Sequence, residues 1–278
     1  MLAFCFYNGK LRFTTNPIIM SYALITGASK GIGKAIAFEL AARKIDLLLV
    51  ARSESLLQQL SAELADRFGI QTHYLAIDLA IPSSPVAVSD WIAQKGYPVH
   101  VLVNNAGFGI GGTFDQQDPA GIRDMMQVNM HVPVELCSLL LPELKKHSQS
   151  YILNIASSAA YQAVPGLVVY AATKSFLLSF SRGLQYELRK TPVSVTAVSP
   201  GGTSTGFAST AQLGAKAVKA GEKLNMTAEA VARLAVNALF ARKTELITGT
   251  LNKIGAAMVW LLPKSITEKA AAGIYEIK

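Results

Sequence analysis

The feature that most constrains this chain is the stretch from Tyr22 to Leu40, where an apolar run passes through a glycine-rich turn into a helical pattern. The run Tyr22–Ile25 predicts a buried strand. After the turn Thr26–Gly33, isoleucine and leucine recur at helical spacing. Strand, turn and helix in this order present backbone N–H groups and the positive end of a helix dipole to a phosphate.

The glycines of this turn have an unusual spacing. Gly27, Gly31 and Gly33 form G-x-x-x-G-x-G, whereas the common dinucleotide fingerprint is G-x-G-x-x-G. Gly27 lets the chain turn, and the other two let a ligand and the next helix approach the backbone closely. By itself the stretch also fits a helix that merely begins at a glycine turn, so the rest of the chain must decide.

Composition bounds the class of protein. The chain has 278 residues, of which 51% are hydrophobic and 16% charged. It is long enough for one large α/β domain or two small ones, and too apolar to be disordered. The net charge of +8 favours an anionic ligand such as a phosphorylated cofactor or an acyl carrier, or serves solubility alone. No long basic run and no basic-aromatic interleaving is present, so we expect no nucleic-acid partner.

The cysteines and the N-terminal stretch indicate the compartment. Cys5 and Cys137 do not form a metal-binding pair, so we expect reduced thiols, no metal site and a cytoplasmic protein. Residues 1–19 lack the basic start of a signal peptide, and Lys10 and Arg12 interrupt their apolar region. We expect them to be an extension outside the fold, with a single domain over residues 20–278.

Apolar runs alternate with helical patterns along the chain. This alternation predicts a doubly wound parallel sheet of about seven strands with helices on both faces. Ser53 and Thr227 are predicted to cap two of the helices, which end near Phe68 and Arg242. Further helices are expected from about Pro82 to Lys95, over about 119–146 and over 170–189. The strands after the first are expected at 45–51, 72–76, 99–103, 151–156, 193–198 and 245–248.

Two segments near the C-terminus lack this pattern. Residues 201–226 are rich in small and polar residues, which is typical of a substrate-binding loop, although a plain surface connection has the same composition. The tail, residues 250–278, is apolar with scattered lysines, and its longest apolar run is too short to span a bilayer. We expect its Met258, Trp260 and Leu262 to pack on the core or on a subunit partner. Membrane association is the less favoured alternative, because the run is short and its charge excess small.

A tyrosine and a lysine one helical turn apart connect these features to a family. The segment Tyr170-Ala-Ala-Thr-Lys174 places both side chains on one helix face. With further motifs in family order, the chain closely resembles the short-chain dehydrogenase/reductase family, which implies a Rossmann-type α/β fold. These motifs are Thr26–Gly33, Asn104–Gly107, Ser157 and Pro200-Gly201.

The same pair suggests acid–base chemistry. A free tyrosine has a pKa of about 10, and a nearby ammonium such as that of Lys174 lowers it. Tyr170 is therefore predicted to exchange a proton with a carbonyl or alcohol oxygen. The resemblance implies that Ser157, rather than Ser158, hydrogen-bonds that oxygen. It also implies that Asn129 completes the catalytic set by supporting a proton path.

The resemblance further implies a nicotinamide cofactor. An acidic residue after the second strand would bind the ribose hydroxyls of NAD, but Arg52 stands there, and Lys30 lies in the glycine turn. Two cations suit a 2′-phosphate, so we predict NADP(H). The cofactor-binding residues are expected to be Gly27, Ser29, Lys30, Gly31, Ile32, Gly33, Arg52, Asp78, Leu79, Asn105, Ala106, Gly107, Tyr170, Lys174, Pro200, Gly201, Thr203 and Thr205.

The sequence thus predicts an NADP(H)-dependent oxidoreductase that moves a hydride between the nicotinamide and a carbonyl or alcohol carbon. A hydrophobic ketone or a 3-oxoacyl group is the expected substrate. The alternative is a non-catalytic NADP(H)-binding sensor or interaction protein on the same fold. By resemblance, a homodimer or homotetramer pairs the helices at about 119–146 and 170–189. The substrate pocket is expected to include Phe108, Ala159, Tyr161, Val164, Pro165, Leu167 and Phe207.

Overall fold

The computed structural model describes residues 4–7, 10–13, 21–207, 211, 214–222 and 226–275. Near the N-terminus, strands β1 (Phe4–Tyr7) and β2 (Lys10–Phe13) pair antiparallel as a sheet of their own. They contribute no strand to the main sheet. That residues 1–19 are an extension to the fold stays a prediction.

The main sheet has seven strands, all parallel, which confirms the predicted fold class. The strands are β3 (Tyr22–Thr26), β4 (Asp46–Ala51), β5 (Thr72–Ala76), β6 (Val99–Asn104), β7 (Ser150–Ile155), β8 (Val193–Ser199) and β11 (Glu245–Ile247). Their order in the sheet is β11-β8-β7-β6-β3-β4-β5. Almost every residue of the central strands is buried, because helices cover both faces.

Two layers of helices pack against this sheet. On one face lie α1 (Gly31–Ala41), α2 (Glu54–Phe68) and α8 (Ala228–Phe240). On the other lie α3 (Ser84–Lys95), α5 (Val132–Leu144) and α6 (Val168–Leu188), with α4 (Pro119–Met126) preceding α5. Each layer buries its leucine, isoleucine and valine side chains against alternate residues of the strands.

The two predicted helix caps differ in outcome. Thr227 caps α8, because its hydroxyl accepts a hydrogen bond from the Ala230 N–H at 3.1 Å. Ser53 occupies the position before α2 but makes no capping bond. Its hydroxyl lies 3.4 Å from that of Ser55 instead. The predicted Ser53 cap is therefore wrong, although the helix begins where expected.

Other helical predictions need correction. The helix expected over about 119–146 is interrupted by a π-helical turn, Gln127–His131, between α4 and α5. The segment 201–226 holds the short strand β9 (Thr203–Ser204) and helix α7 (Ala215–Glu222), and β9 pairs with β10 (Met226–Thr227). Regular structure is thus present where an irregular loop was predicted; residues 208–210, 212–213 and 223–225 lie outside the described residues.

The C-terminal tail forms two further helices, α9 (Thr250–Leu261) and α10 (Lys264–Ile274). Met258 and Trp260 were expected to pack on the core or on a subunit partner, but they are 43% and 76% exposed, and Leu262 is half-buried. The core placement is therefore wrong for Met258 and Trp260, because α9 turns Ala256 and Val259 inward instead. No helix in the described part of the chain is long and apolar enough to cross a membrane.

Candidate active site

The candidate site lies where the strand order reverses, between β3 and β6. In open α/β sheets, ligands bind at such a switch point, beyond the carboxyl ends of the strands. The residues predicted to bind the cofactor follow β3, β4, β5, β6 and β8, so they meet at this edge. Tyr170 and Lys174 reach it from α6.

The glycine turn has the backbone shape that a phosphate cradle needs. Gly27 and Gly31 have φ values of +65° and +53°, a region that favours glycine. A Cβ on Gly27 would lie 2.8 Å from Asn105 Nδ2, and one on Gly33 would collide with the Gly27 carbonyl oxygen. No side chain caps the start of α1, so its first N–H groups suit the phosphates of a dinucleotide.

Hydrogen bonds join this turn to the end of β6. The Thr26 hydroxyl accepts from the Asn105 and Ala106 N–H groups at 3.0 and 3.1 Å. The Asn105 side chain donates to the carbonyl oxygens of Thr26 and Gly27 at 3.0 and 3.1 Å. The segment Asn105–Gly107 therefore shapes the turn directly, while Gly107 itself is exposed at the site.

A second set of bonds fixes α6 against the sheet centre. The Asn104 amide donates to Asn154 Oδ1 at 2.9 Å, and the Asn154 amide donates to the Ser181 hydroxyl at 2.8 Å. Asn104, Asn154 and Ser181 are buried. Because Ser181 lies on α6, this chain of hydrogen bonds fixes the position of the helix that carries Tyr170 and Lys174.

The structure brings Tyr170, Lys174 and Ser157 together. Tyr170 is 8% exposed and Lys174 4%. Lys174 Nζ donates to the Ile155 carbonyl oxygen at 2.9 Å and lies 5.9 Å from the centre of the Tyr170 ring. The Ser157 hydroxyl hydrogen-bonds with that of Tyr170 and accepts from the Ala159 N–H at 3.1 Å. Two hydroxyl groups and an ammonium are thus gathered in one buried place.

Burial dominates the electrostatics of these groups. It raises the pKa of Tyr170 to about 12, against a lowering effect of the hydrogen bond with Ser157 and a further raising effect of Tyr275. Burial lowers the pKa of Lys174 to about 8. Lys174 was predicted to lower the pKa of Tyr170, but in the protein alone that pKa is raised, because burial of the phenol is the largest effect on it.

Asn129 joins the same cluster from the π-helical turn. Its amide donates to the Phe108 carbonyl oxygen at 2.9 Å and to the Thr173 hydroxyl at 3.0 Å. Its Oδ1 accepts from the Phe108 N–H at 3.1 Å. A Cβ on Gly107 would lie 3.0 Å from Asn129 Oδ1 and 3.1 Å from Lys174 Nζ. Asn129 therefore holds the loop after β6 against α6.

The remaining cofactor candidates lie around the rim. Lys30 and Arg52 are exposed, beyond the ends of the neighbouring strands β3 and β4. Asp78 lies after β5 and accepts a hydrogen bond from the Ala80 N–H at 3.0 Å, and Leu79 is buried in the core. Ser29 and Ile32, within the glycine turn, are half-buried.

The segment after β8 closes over the glycine turn. A Cβ on Gly31 would lie 3.0 Å from the methyl group of Thr205. Pro200 accepts from the Ser158 N–H at 2.8 Å, and the Thr203 hydroxyl donates to the Gly201 carbonyl oxygen at 3.1 Å. This segment therefore borders the glycine turn and adjoins the end of β7, where Ser157 lies.

An apolar cluster surrounds Tyr170. Phe207 lies over it, with the ring centres 5.1 Å apart. The cluster includes most of the residues predicted to line the substrate pocket, and it adds Tyr275, which no motif had indicated. Its members are Phe108, Ile110, Met125, Ala159, Val164, Leu167, Val169, Tyr170, Ala171, Phe207 and Tyr275.

Two predicted pocket residues lie outside this cluster. Tyr161 packs with Ala156 and Ala160, outside the Tyr170 cluster. Its hydroxyl donates to Glu245 Oε1 at 2.6 Å, because a buried phenol needs a hydrogen-bond partner. Tyr161 and Pro165 both line a cavity of about 440 Å³ beside α6, and Val164 and Ala171 of the Tyr170 cluster line it as well. That Tyr161 and Pro165 line the substrate pocket stays a prediction.

A family model described as short chain dehydrogenase matches residues 21–216. The chain therefore belongs to the short-chain dehydrogenase family. Curated relatives include the very-long-chain 3-oxoacyl-CoA reductases of Anas platyrhynchos and Homo sapiens. Both are 33% identical to this chain, the first over 69% of its length and the second over 66%. The matched regions cover 62% and 60% of those proteins, so the chain spans about three fifths of the length of these relatives.

Solved structures agree with the fold. A short-chain dehydrogenase from Sphingobium yanoikuyae in complex with NADPH is 30% identical, with a TM-score of 0.76 over 87% of this chain and 94% of that one. An alcohol dehydrogenase from Thermococcus sibiricus complexed with 5-hydroxy-NADP is 26% identical, with a TM-score of 0.72 over 84% and 97%. A short-chain dehydrogenase/reductase from Burkholderia phymatum in complex with NAD has a TM-score of 0.76 at 24% identity, over 87% of this chain and 92% of that one, and supports the fold alone.

Proposed function

We propose that this protein is an NADP(H)-dependent oxidoreductase that reduces a hydrophobic ketone or 3-oxoacyl substrate to the alcohol. One observation carries the proposal. Asn129, Ser157, Tyr170 and Lys174 converge on one buried site at the carboxyl edge of the sheet, next to a glycine turn shaped for a phosphate. When bound, NADP(H) would supply or accept the hydride.

The residues that would hold the cofactor follow the strand ends in order. The N–H groups at the start of α1 would bind the phosphates, and Asp78 would contact the adenine ring. Asn105–Gly107 would line the adenosine side as well, and Pro200–Thr205 would hold the nicotinamide end. Lys174, whose Nζ lies beside Gly107, would hold the nicotinamide ribose.

The chain's own residues handle the proton. The Tyr170 phenol, with its pKa raised to about 12, is protonated at neutral pH and can donate to the carbonyl oxygen of a substrate. The Ser157 hydroxyl hydrogen-bonds the same oxygen and stabilises its developing charge. The Lys174 ammonium stabilises the phenolate that remains, and Asn129 keeps the loop after β6 against α6.

The surroundings of Tyr170 support an apolar substrate. Phe108, Val164, Leu167 and Phe207 cluster around it, and such a lining binds hydrocarbon better than a sugar. The curated relatives named above are called very-long-chain 3-oxoacyl-CoA reductases. The net charge of +8 would attract the phosphates of an acyl carrier. We therefore propose 3-oxoacyl thioesters as the first substrates to test.

The test is NADPH oxidation against 3-oxoacyl-CoA esters of increasing chain length, hydrophobic ketones and small polar sugars. Tyr170→Phe removes the proton donor, and general acid catalysis is worth about 10²–10⁴-fold. We expect kcat to fall by that factor while NADPH binding persists. Tyr186→Phe is the matched control, since Tyr186 lies on the same helix and is 67% exposed.

Full activity of Tyr170→Phe would contradict the mechanism. NADPH binding without turnover of any compound would favour the non-catalytic sensor. If only small polar sugars were turned over, the proposed reaction class would still hold, but the proposal of an apolar substrate would be contradicted.

Preference for NADP(H) over NAD(H) is proposed from Arg52 and Lys30, both exposed at the rim. A charge-assisted bond to phosphate contributes about 1.5–3 kcal/mol, so Arg52→Ala should raise the KM for NADPH roughly 10–100-fold. The KM for NADH should change little. Lys145→Ala, at an exposed cation beyond α5, is the control, and an equal loss with both cofactors would contradict the assignment.

We also propose a homodimer or homotetramer joined through α4, α5 and α6. Leu139, Val168 and Phe176 on these helices are exposed, which supports such an interface. A cytoplasmic location is proposed as well, and the free, buried thiol of Cys137 is consistent with it. Light scattering of the purified protein tests the first proposal, and microscopy of a tagged full chain tests the second.

A further inference from the structure

Exposed apolar side chains are concentrated in the C-terminal tail. Of the fifteen large hydrophobic side chains that are exposed among the described residues, seven lie between positions 251 and 274. We call these seven residues the tail patch: Leu251, Ile254, Met258, Trp260, Leu261, Ile266 and Ile274. A concentration of exposed apolar side chains in one segment marks an interaction site more often than scattered single residues do.

The tail patch follows the geometry of its helices. On α9, Leu251, Ile254, Met258 and Leu261 recur three and four residues apart, so they share one face. Ala256 and Val259 on another side of α9 are buried against the protein. The face with Leu251, Ile254, Met258 and Leu261 is therefore not covered by the rest of the described protein. On α10, Ile266 and Ile274 lie eight residues apart, which places them on one side as well.

The tail carries a small excess of positive charge, with four lysines and two glutamates over residues 250–278. Residues 250–275 contain three lysines, Lys253, Lys264 and Lys269, and a single carboxylate, Glu268. All four side chains are exposed. Glu268 lies beside the cavity lined by Val164 and Ala171. Exposed apolar side chains and exposed lysines on the same helices are the composition of helices that lie in a membrane interface.

We propose that the tail patch binds the surface of an anionic lipid bilayer, with α9 and α10 lying along the interface. The apolar side chains enter the boundary between headgroups and acyl chains, and Lys253 and Lys269 pair with anionic headgroups. Lys264 Nζ donates to the Val259 carbonyl oxygen at 2.9 Å and adds its charge to the same side of the molecule. Trp260, 76% exposed, has the amphipathic ring that is enriched at such boundaries. This surface goes beyond the proposed reductase activity and does not depend on it.

Charge complementarity favours a bilayer over a second copy of this chain. Pairing two identical tail patches would bring Lys253, Lys264 and Lys269 of one copy toward those of the other. An anionic surface attracts all three, at about fivefold in partition for each lysine. The patch also lies near the candidate active site, because Asn252 at the start of α9 contacts Gly201 and Tyr275 packs in the cluster around Tyr170.

The test is flotation of the full chain with phosphatidylcholine vesicles and with vesicles that also contain phosphatidylglycerol. We expect the protein to float with the anionic vesicles, and added salt to weaken the binding. Leu251→Glu with Leu261→Glu places two carboxylates in the patch. This variant should bind more than tenfold more weakly, because two apolar side chains no longer enter the bilayer.

The matched control replaces two exposed apolar residues elsewhere, Ile81→Glu with Val86→Glu, which are 52% and 48% exposed in the protein. It carries the same added charge and should float like the unmodified chain. Lys253→Ala with Lys269→Ala should lose the preference for anionic vesicles. NADPH binding, measured by fluorescence, checks that every variant is folded, and this check does not require the substrate to be known.

A second readout locates the contact. The chain has two tryptophans, so Trp91→Phe leaves Trp260 as the sole indole, and its emission should shift to the blue and be quenched by brominated lipids. Absence of flotation, or equal flotation of Leu251→Glu with Leu261→Glu, would overturn the proposal. An assembly in lipid-free solution that the same two substitutions dissociate, with no flotation, would assign the patch to a second copy instead.

Discussion

At the scale of single residues, Lys174 is the most unusual group in the protein. Its side chain is 4% exposed, and its ammonium donates to the Ile155 carbonyl oxygen. Transfer of a lysine from water into such a place disfavours its charged form, and the pKa of Lys174 falls to about 8. A residue chosen for stability alone would be apolar, so the burial of Lys174 points to chemistry.

Replacing this lysine should separate stability from activity. We expect Lys174→Met to lose nearly all turnover and to be more stable than the unmodified protein at pH 7. The cost of burying the charge is on the order of 3 kcal/mol, although the Ile155 carbonyl loses its donor and offsets part of the gain. Urea unfolding measures the difference.

The stability difference between Lys174→Met and the unmodified protein should depend on pH. The folded pKa of Lys174, about 8, lies below the ordinary value of about 10.4. Between these values the unfolded chain binds more protons, so stability of the unmodified protein rises with pH across this window. The advantage of Lys174→Met should be largest below pH 8 and shrink by pH 10.5. Lys190→Met, at an exposed lysine, should show no such trend; a constant advantage for Lys174→Met would contradict the account.

Single residues were predicted from the sequence where a motif defined them. The positions of Ser157, Tyr170 and Lys174 follow from the helix and strand ends on which they stand. The Ser53 cap failed because a hydroxyl at that place can bond a neighbouring side chain as easily as the backbone. The predicted direction of the Tyr170 pKa shift was wrong because the pKa depends on burial. Side chains from distant segments produce that burial, and the spacing of residues in the sequence does not reveal them.

At the scale of elements, the interruption between α4 and α5 is the feature that shapes the site. The π-helical turn Gln127–His131 places Asn129 where its amide reaches both Phe108 and Thr173. π-helical turns often occur at functional sites, because the extra residue redirects a side chain. Asn129 acts here as a positioning residue between the loop after β6 and α6.

Asn129→Ala should therefore change turnover more than substrate binding. It removes three hydrogen bonds and leaves the Phe108 N–H and carbonyl groups without their partner, which costs about 2–4 kcal/mol of stability. We expect kcat to fall and its pH profile to shift, because Lys174 and Gly107 are no longer held in register, while KM changes less. Asn237→Ala, at an exposed amide, is the control. A change confined to thermal stability would contradict the positioning role.

Elements were largely predictable from their periodicity. Each strand of the main sheet was expected within one or two residues, because buried parallel strands are near-continuous apolar runs. The π-helical turn was not predicted, since it changes the hydrogen bonding while the helical repeat on either side continues. Helix α7 was missed although five of its eight residues are alanine or lysine, which are good helix formers, because it has too few large apolar residues to show a helical repeat.

At the scale of the whole molecule, residues far apart in the sequence meet at the candidate active site. Tyr275 follows α10 and packs in the cluster around Tyr170, and it raises the pKa of that residue. No motif indicated this contact, because the tail is joined to the site only through tertiary packing. Tyr161 shows the converse case, since it is close to Tyr170 in sequence and packs elsewhere.

Removing the Tyr275 ring should weaken the binding of long substrates. We expect Tyr275→Ala to lower kcat/KM for a long-chain 3-oxoacyl thioester about tenfold, because an apolar wall of the pocket is lost. Short ketones should be affected less. Tyr275→Phe keeps the ring and should retain the preference for long chains. Equal losses on long and short substrates would contradict this role.

The tail is attached to the site at both ends, through Asn252 beside Gly201 and through Tyr275 beside Tyr170. This has a thermodynamic consequence. A ligand that binds one arrangement of these contacts more tightly than another shifts the cleft by that difference in affinity, and by reciprocity a filled cleft changes the affinity for that ligand by the same factor. The last two helices thus connect the exposed tail patch to the residues around Tyr170.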